Sequence, residues 1–240
     1  MTTKKKLLMA SAGASTGALA EVEFLGAITA VSPTNTNYTL FSGNFAGLDS
    51  ADGVTVIAVL QSRNSGGDTS SPYSSVTIGG QSASIIGRSY GATSTDFCSS
   101  AIAYISDFDI TSSINVSVSL SATHAGQANI FLYKFNSTSV ATSSSNVANN
   151  VSSISTSITT PSSGFSTVVI ATTSNSNSAT DITSSSGSLT EDVSKDGGTT
   201  EFVTVSHSND IPSSSVVSFT SDNGGTAETY SILVACFAET

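Results

Sequence analysis

Large apolar side chains come along this chain in short bursts rather than at helical spacing. Val54-Thr55-Val56-Ile57-Ala58-Val59-Leu60 is nearly continuous, the composition of a central strand covered on both faces. Ile114-Asn115-Val116-Ser117-Val118-Ser119-Leu120 alternates strictly, which predicts a strand with one face in a core and the other in water. Val76 to Ile86 predicts a hairpin turning at Gly79-Gly80, because glycine accepts the positive φ angles that tight turns require. From Val22 onward such segments alternate with Gly, Ser, Asn and Asp clusters, and no window sustains helical periodicity with caps. The pattern is all-β.

The bursts also recur. Val54–Leu60, Ala101–Ile105, Val116–Leu120 and Asn129–Phe135 are followed in the same order by Thr167–Ala171, Glu201–Val205, Val216–Thr220 and Tyr230–Phe237. Ala101 and Val116 are separated by the same number of positions as Glu201 and Val216. Spacing that persists while the loops are rewritten points to a repeated β-unit. The half-repeats run over about 22–136 and 151–240, with Ser137 to Thr160 between them as a linker. A half with so few strands buries little apolar surface alone, so the expectation is that both halves pack into one β-sandwich domain, 22–240. Two immunoglobulin-like modules are the other arrangement, but their cysteine–tryptophan–cysteine pattern is absent.

Composition narrows the function classes. Ser and Thr make up 83 of 240 residues, so the solvent faces are expected to be coated with hydroxyls rather than charges. The net charge is −10, and three of the seven basic residues are Lys4, Lys5 and Lys6. Beyond them, four basic residues face all 17 acids, which argues against a nucleic-acid partner. No stretch is apolar enough to predict membrane insertion by a helix.

Residues 1–21 read as an extended N-terminal arm. Its basic tip and the apolar Leu7-Leu8-Met9 make Lys4, Lys5, Lys6, Leu7, Leu8 and Met9 the candidate assembly contacts. Ala18-Leu19-Ala20 would also suit a signal-peptide cleavage site, and a plain polar tail is the third reading.

Taken in order, the Val-Thr-Ile-Gly-Gly hairpin, Ala-Ile-Ala-Tyr-Ile, Val-Ser-Val-Ser-Leu, Ala-Asn-Ile-Phe-Leu-Tyr and the second round ending in Ile232–Ala238 resemble the pseudo-repeated jelly-roll domains of tailed-bacteriophage virion proteins. Secreted bacterial surface proteins carry similar domains. The resemblance spans about residues 22–240 and rests on pattern, without a signature residue. It implies an antiparallel jelly-roll-like β-sandwich that works in the virion as a capsid decoration or tail component. It also implies partners among other virion proteins and copies of itself, no enzymatic activity and no cofactor.

Chemistry is sparse in the residues themselves. Gly13-Ala14-Ser15-Thr16-Gly17 fits the nucleophile-elbow formula, but almost no chain precedes it to deliver Ser15 from a strand. His124 and His207 have no metal-ligand spacing around them and read as loop histidines. Asp49, Asp52, Asp107, Asp109, Asp192, Asp196 and Asp222 are the plausible oxygen donors for calcium, although turns require the same residue types. Tyr104, Tyr133 and Tyr230 sit inside apolar runs, where packing is their expected use. Cys98 and Cys236 pair only if the fold brings their strands together. The competing function class is a receptor- or glycan-binding adsorption protein, or a secreted lectin-like module, that uses loops around 63–73, 87–97, 174–188 and 221–226.

Overall fold

A computed structural model describes residues 21–31, 38–64, 73–92, 97–124, 128–136, 142–162, 166–174, 181–198, 201–225 and 227–238. The candidate contacts Lys4 to Met9, and Ser15, lie outside these residues. The described chain is all-β and antiparallel. Its first half contains β1 (Val22–Val31), β2 (Tyr38–Ala46), β3 (Ala51–Asn64), β4 (Tyr73–Ile78), β5 (Gln81–Ser82), β6 (Ser84–Ala92), β7 (Phe97–Ile110), β8 (Ser113–His124) and β9 (Ala128–Phe135). The second contains β10 (Thr142–Val151), β11 (Ser153–Thr159), β12 (Ser166–Ser174), β13 (Asp181–Ser184), β14 (Thr190–Gly198), β15 (Glu201–Ile211), β16 (Val216–Asp222) and β17 (Glu228–Ala238).

In the first half β1 pairs with β9, β2 with β8, β3 with β7 and β4 with β5, so the chain is one long hairpin folded back on itself. Rolling that hairpin up gives two sheets, ordered β1-β9-β3-β7-β6 and β2-β8-β4-β5, a jelly-roll arrangement. The second half nests β10 with β17, β11 with β16 and β12 with β15, and its sheets are ordered β10-β17-β12-β15-β14 and β11-β16-β13. Matching β1–β4 to β10–β13 and β6–β9 to β14–β17 makes the two orders the same, with β5 as the extra strand. The registers agree as well. Across one bulge Val54 pairs with Phe108 and Val56 with Ile105; across the equivalent one Ser166 pairs with Ile211 and Val168 with Ser208.

The alternation of side chains along these strands sorts the apolar residues into three layers. Val56, Ala58 and Leu60 of β3 face β2-β8-β4 and join Phe41, Val116 and Val118 in the core of the first jelly roll. Val168, Ile170, Ile232 and Phe219 form the core of the second. Ile57 and Val59, from the other face of β3, join Phe131, Val169, Leu233 and Phe237 in a layer between the two five-stranded sheets. The sheets therefore stack four deep. The shared layer expected from the small size of each half exists, but it joins two sandwiches, each already closed around its own core.

Several sequence expectations meet the structure directly. β3 is the central strand of its sheet, and β8 keeps its alternate residues Ile114, Val116, Val118 and Leu120 buried. Gly79 and Gly80 turn β4 into β5 with φ of 59° and 81°. A Cβ on Gly79 would also stand 2.4 Å from the Phe108 ring. The segment 137–160 is not simply a linker, because β10 and β11 lie within it. β10 is an edge strand held by its ladder to β17, and edge strands need few large apolar residues, so its Ser- and Asn-rich sequence hid it. The second half accordingly begins near Thr142 rather than at 151.

Candidate functional site

A buried cluster of titratable side chains lies between the two jelly rolls. Tyr133 of β9, fully buried, donates its hydroxyl to Asp192 Oδ2 of β14 at 2.9 Å. His207 Nδ1 of β15 meets the same carboxylate at 3.0 Å from Oδ1 and 2.8 Å from Oδ2. The side chains of His207 and Asp192 are only 13 % and 5 % exposed. Strand geometry puts the three together. Tyr133 falls on the same face of β9 as Phe131 and Phe135, and His207 lies opposite Thr190 at the start of β14. Asp192 is the extra residue of a bulge, since Glu191 pairs with Ser206 while Val193 pairs with Val205. The bulge turns a carboxylate inward that strict alternation would place differently.

The electrostatics follow from burial. Burial first, then the charge and hydrogen bond of Asp192, push the Tyr133 hydroxyl well above its usual pKa. Tyr133 therefore stays a neutral donor. The Asp192 carboxylate orients the ring of His207 with Nδ1 inward, which leaves Nε2 as the second ring nitrogen. Phe24 packs against the Tyr133 ring at a centroid distance of 5.2 Å, and Tyr133 meets His207 nearly edge-on at 6.1 Å. A His–Asp pair of this kind resembles the base-and-orienter half of a catalytic site, but catalysis also needs a nucleophile and room for a substrate. Aromatic rings occupy the space here, and the geometry suits a buried clasp between the halves.

The other sequence candidates scatter. His124 ends β8 opposite Tyr38. His207 lies within β15 and not in a loop. Asp109 of β7 accepts from the Gly53 amide of the neighbouring strand β3 at 2.9 Å, and Asp222 caps its own turn by accepting from the Gly224 amide at 2.8 Å. Among the described residues no three His, Cys, Asp or Glu side chains gather as metal ligands would. Cys98 and Cys236 are both buried and unbridged. Cys98 donates to the Thr229 carbonyl across the layer between the sheets, whereas Cys236 faces the core of the second jelly roll, where burial raises its thiol pKa. A depression of about 160 Å³ beside Phe24, Leu48 and Asp49 contains the ion pair of Lys134 with Glu23 at 2.8 Å, so its one cation is already neutralised.

The sequence reading missed Asp192, Tyr133 and His207 as a unit. Each was visible separately, but 59 residues separate Tyr133 from Asp192, and only the stacking of the halves brings them together. Searches against family models, curated proteins and solved structures gave no match.

Proposed function

We propose that this chain is a non-enzymatic structural protein of a bacteriophage virion, a capsid decoration or tail component held in the particle by its N-terminal arm. The observation that supports this reading most is the chemistry of the outermost faces. On the sheet β11-β16-β13, Ser155 bonds Thr220 at 2.7 Å and Ser157 bonds Ser218 at 2.8 Å. On β2-β8-β4, Ser42 pairs with Ser117 and Asn44 with Asn115. These faces carry few charges, and the cross-strand hydroxyl bonds are satisfied within the sheet. Covering such a face costs less desolvation than covering ionised groups, which suits contacts with neighbouring subunits.

The test is incorporation. Deleting residues 1–20 is expected to leave a soluble β-protein with nearly unchanged melting, and to abolish its uptake into particles assembled with the other virion proteins. Uptake at full occupancy without the arm would refute the anchor. A glycan array on the full chain addresses the competing class: specific, saturable binding would favour an adsorption module over a scaffold.

A further inference from the structure

We propose that the two jelly rolls form a twofold dimer made covalent, in which each half recognises the other through the same surface. The two facing sheets run in opposite order. β6 packs on β10 and β17, β7 on β17 and β12, β3 on β12, and β1 on β14 and β15. Under the correspondence of the halves, the central strands β3 and β12 are equivalents that meet each other. The contact of β6 with β10 is likewise the exchanged form of the contact of β1 with β14, although the sheets approach more closely on the β6–β10 side. On the wider side the packing of β17 against β6 and β7 returns through Tyr133 of β9, which reaches Asp192 of β14 and His207 of β15. An interface in which element i meets j′ while j meets i′ is the mark of a closed two-subunit contact.

Single residues follow the same rule. Thr55 pairs with Phe135 and Thr167 with Phe237, which makes the two phenylalanines equivalent. Their rings meet each other at a centroid distance of 5.9 Å, as a residue on a twofold axis must meet its own copy. Gly87 of β6 approaches Leu233 of β17, and a Cβ there would stand 2.8 Å from Leu233 Cδ1. Its exchanged counterparts, Val193 and Phe131, both belong to the same apolar layer. The partner that this surface fits is therefore a second jelly roll of the same kind. The covalent link through 137–141 is dispensable for holding the halves together.

The experiment cuts the link in the folded protein. A specific protease site is inserted within 137–141 of the full chain, cleavage is carried out under native conditions, and the product is followed by light scattering and analytical ultracentrifugation. The cut halves are expected to remain one particle with the mass of the uncut chain at micromolar concentration. Separation, precipitation or unfolding on cutting would overturn the proposal. In the cut protein, Phe135→Leu and Phe237→Leu are each expected to weaken association about tenfold, from the loss of part of one buried ring. Equal weakening is the signature of the axis. A weakening confined to one of them would show an interface without twofold character. If a variant cannot be cut without unfolding, the same pair is compared by urea denaturation of the uncut chain, where unequal midpoints overturn the axis.

Discussion

At one end of the layer between the jelly rolls, Tyr133, Asp192 and His207 share one carboxylate; at the exchanged end stand Ala235, Ile86 and Tyr104. The places are equivalent by register. Ile57 pairs with both Tyr133 and Tyr104, and Val169 with both Ala235 and His207. Ile86 and Asp192 are each the extra residue of the same bulge. One backbone frame thus holds an apolar trio in one place and a charged, hydrogen-bonded trio in the other. Burying a carboxylate costs several kcal/mol, roughly recovered only when its lone pairs find donors, so the polar end is no better than the apolar one for stability. It discriminates instead. If two copies of the second half met through this face, Asp192 would stand against Ala235 in place of Tyr133, with no hydroxyl to accept from. The polar end therefore favours the pairing of unlike halves.

The largest effect should come from the centre that both ends share. Phe135→Ala and Phe237→Ala are each expected to cost about 3–4 kcal/mol in urea denaturation. The double variant should cost less than their sum, because the rings touch. A large cost for one and almost none for the other would break the equivalence of the halves. Next comes the contrast between the ends. Asp192→Ala leaves the Tyr133 hydroxyl and the His207 Nδ1 without their acceptor and is expected to cost about 2–3 kcal/mol. Ile86→Ala, at a partly buried position, should cost roughly 1 kcal/mol by the same measurement.

Transplanting the apolar end sharpens the comparison further. Tyr133→Ala, Asp192→Ile and His207→Tyr together are expected to lie within about 1 kcal/mol of the wild type, although Asp192→Ala alone is costly. A triple variant as unstable as the single one would mean that the clasp supplies stability after all. Alkaline titration offers a finer probe. The folded pKa of Tyr133 is raised, so its contribution is complete below the ordinary tyrosine value of about 10 and is lost as pH rises above it towards the folded value. Tyr133→Phe should flatten the fall in melting temperature above roughly pH 10, without removing the share due to Tyr230, whose hydroxyl burial also raises. An unchanged slope would show that Tyr133 titrates alike in the folded and unfolded states, so that folding does not raise its pKa. Smallest of all, Ser157→Ala on the outer face of β11 is expected to change stability by less than about 0.5 kcal/mol.

How much the sequence revealed depended on the distance over which the information acts. The Ile114–Leu120 alternation and the Gly79-Gly80 turn are local and were legible in outline. The recurrence of four apolar bursts in order was legible too, because strands that pair in the same way keep the same pattern. β10 was hidden because an edge strand needs hydrogen-bonding partners more than apolar side chains, and Thr142–Val151 has little else to show. The number of cores was hidden as well. Ile57 and Ile102 look like Val56 and Ala101 on paper, and only the stacking of sheets sends them into different layers. For the site, a tyrosine in an apolar run and an aspartate in a polar one gave no hint of each other, and the bulge that turns Asp192 inward has no mark in composition.

The nested pairing of the first half has a consequence in time. Its outermost pair, β1 with β9, uses no residue beyond Phe135, so no strand of the second half is needed to close it. The first jelly roll can thus complete all its own pairings on the ribosome, although contacts so remote in sequence form slowly. Until β17 is translated it carries Ile57, Val59 and Phe131 on an uncovered sheet face, a surface to which other nascent chains of the same kind would stick. Refolding the whole chain at once removes the order in which the two halves become available.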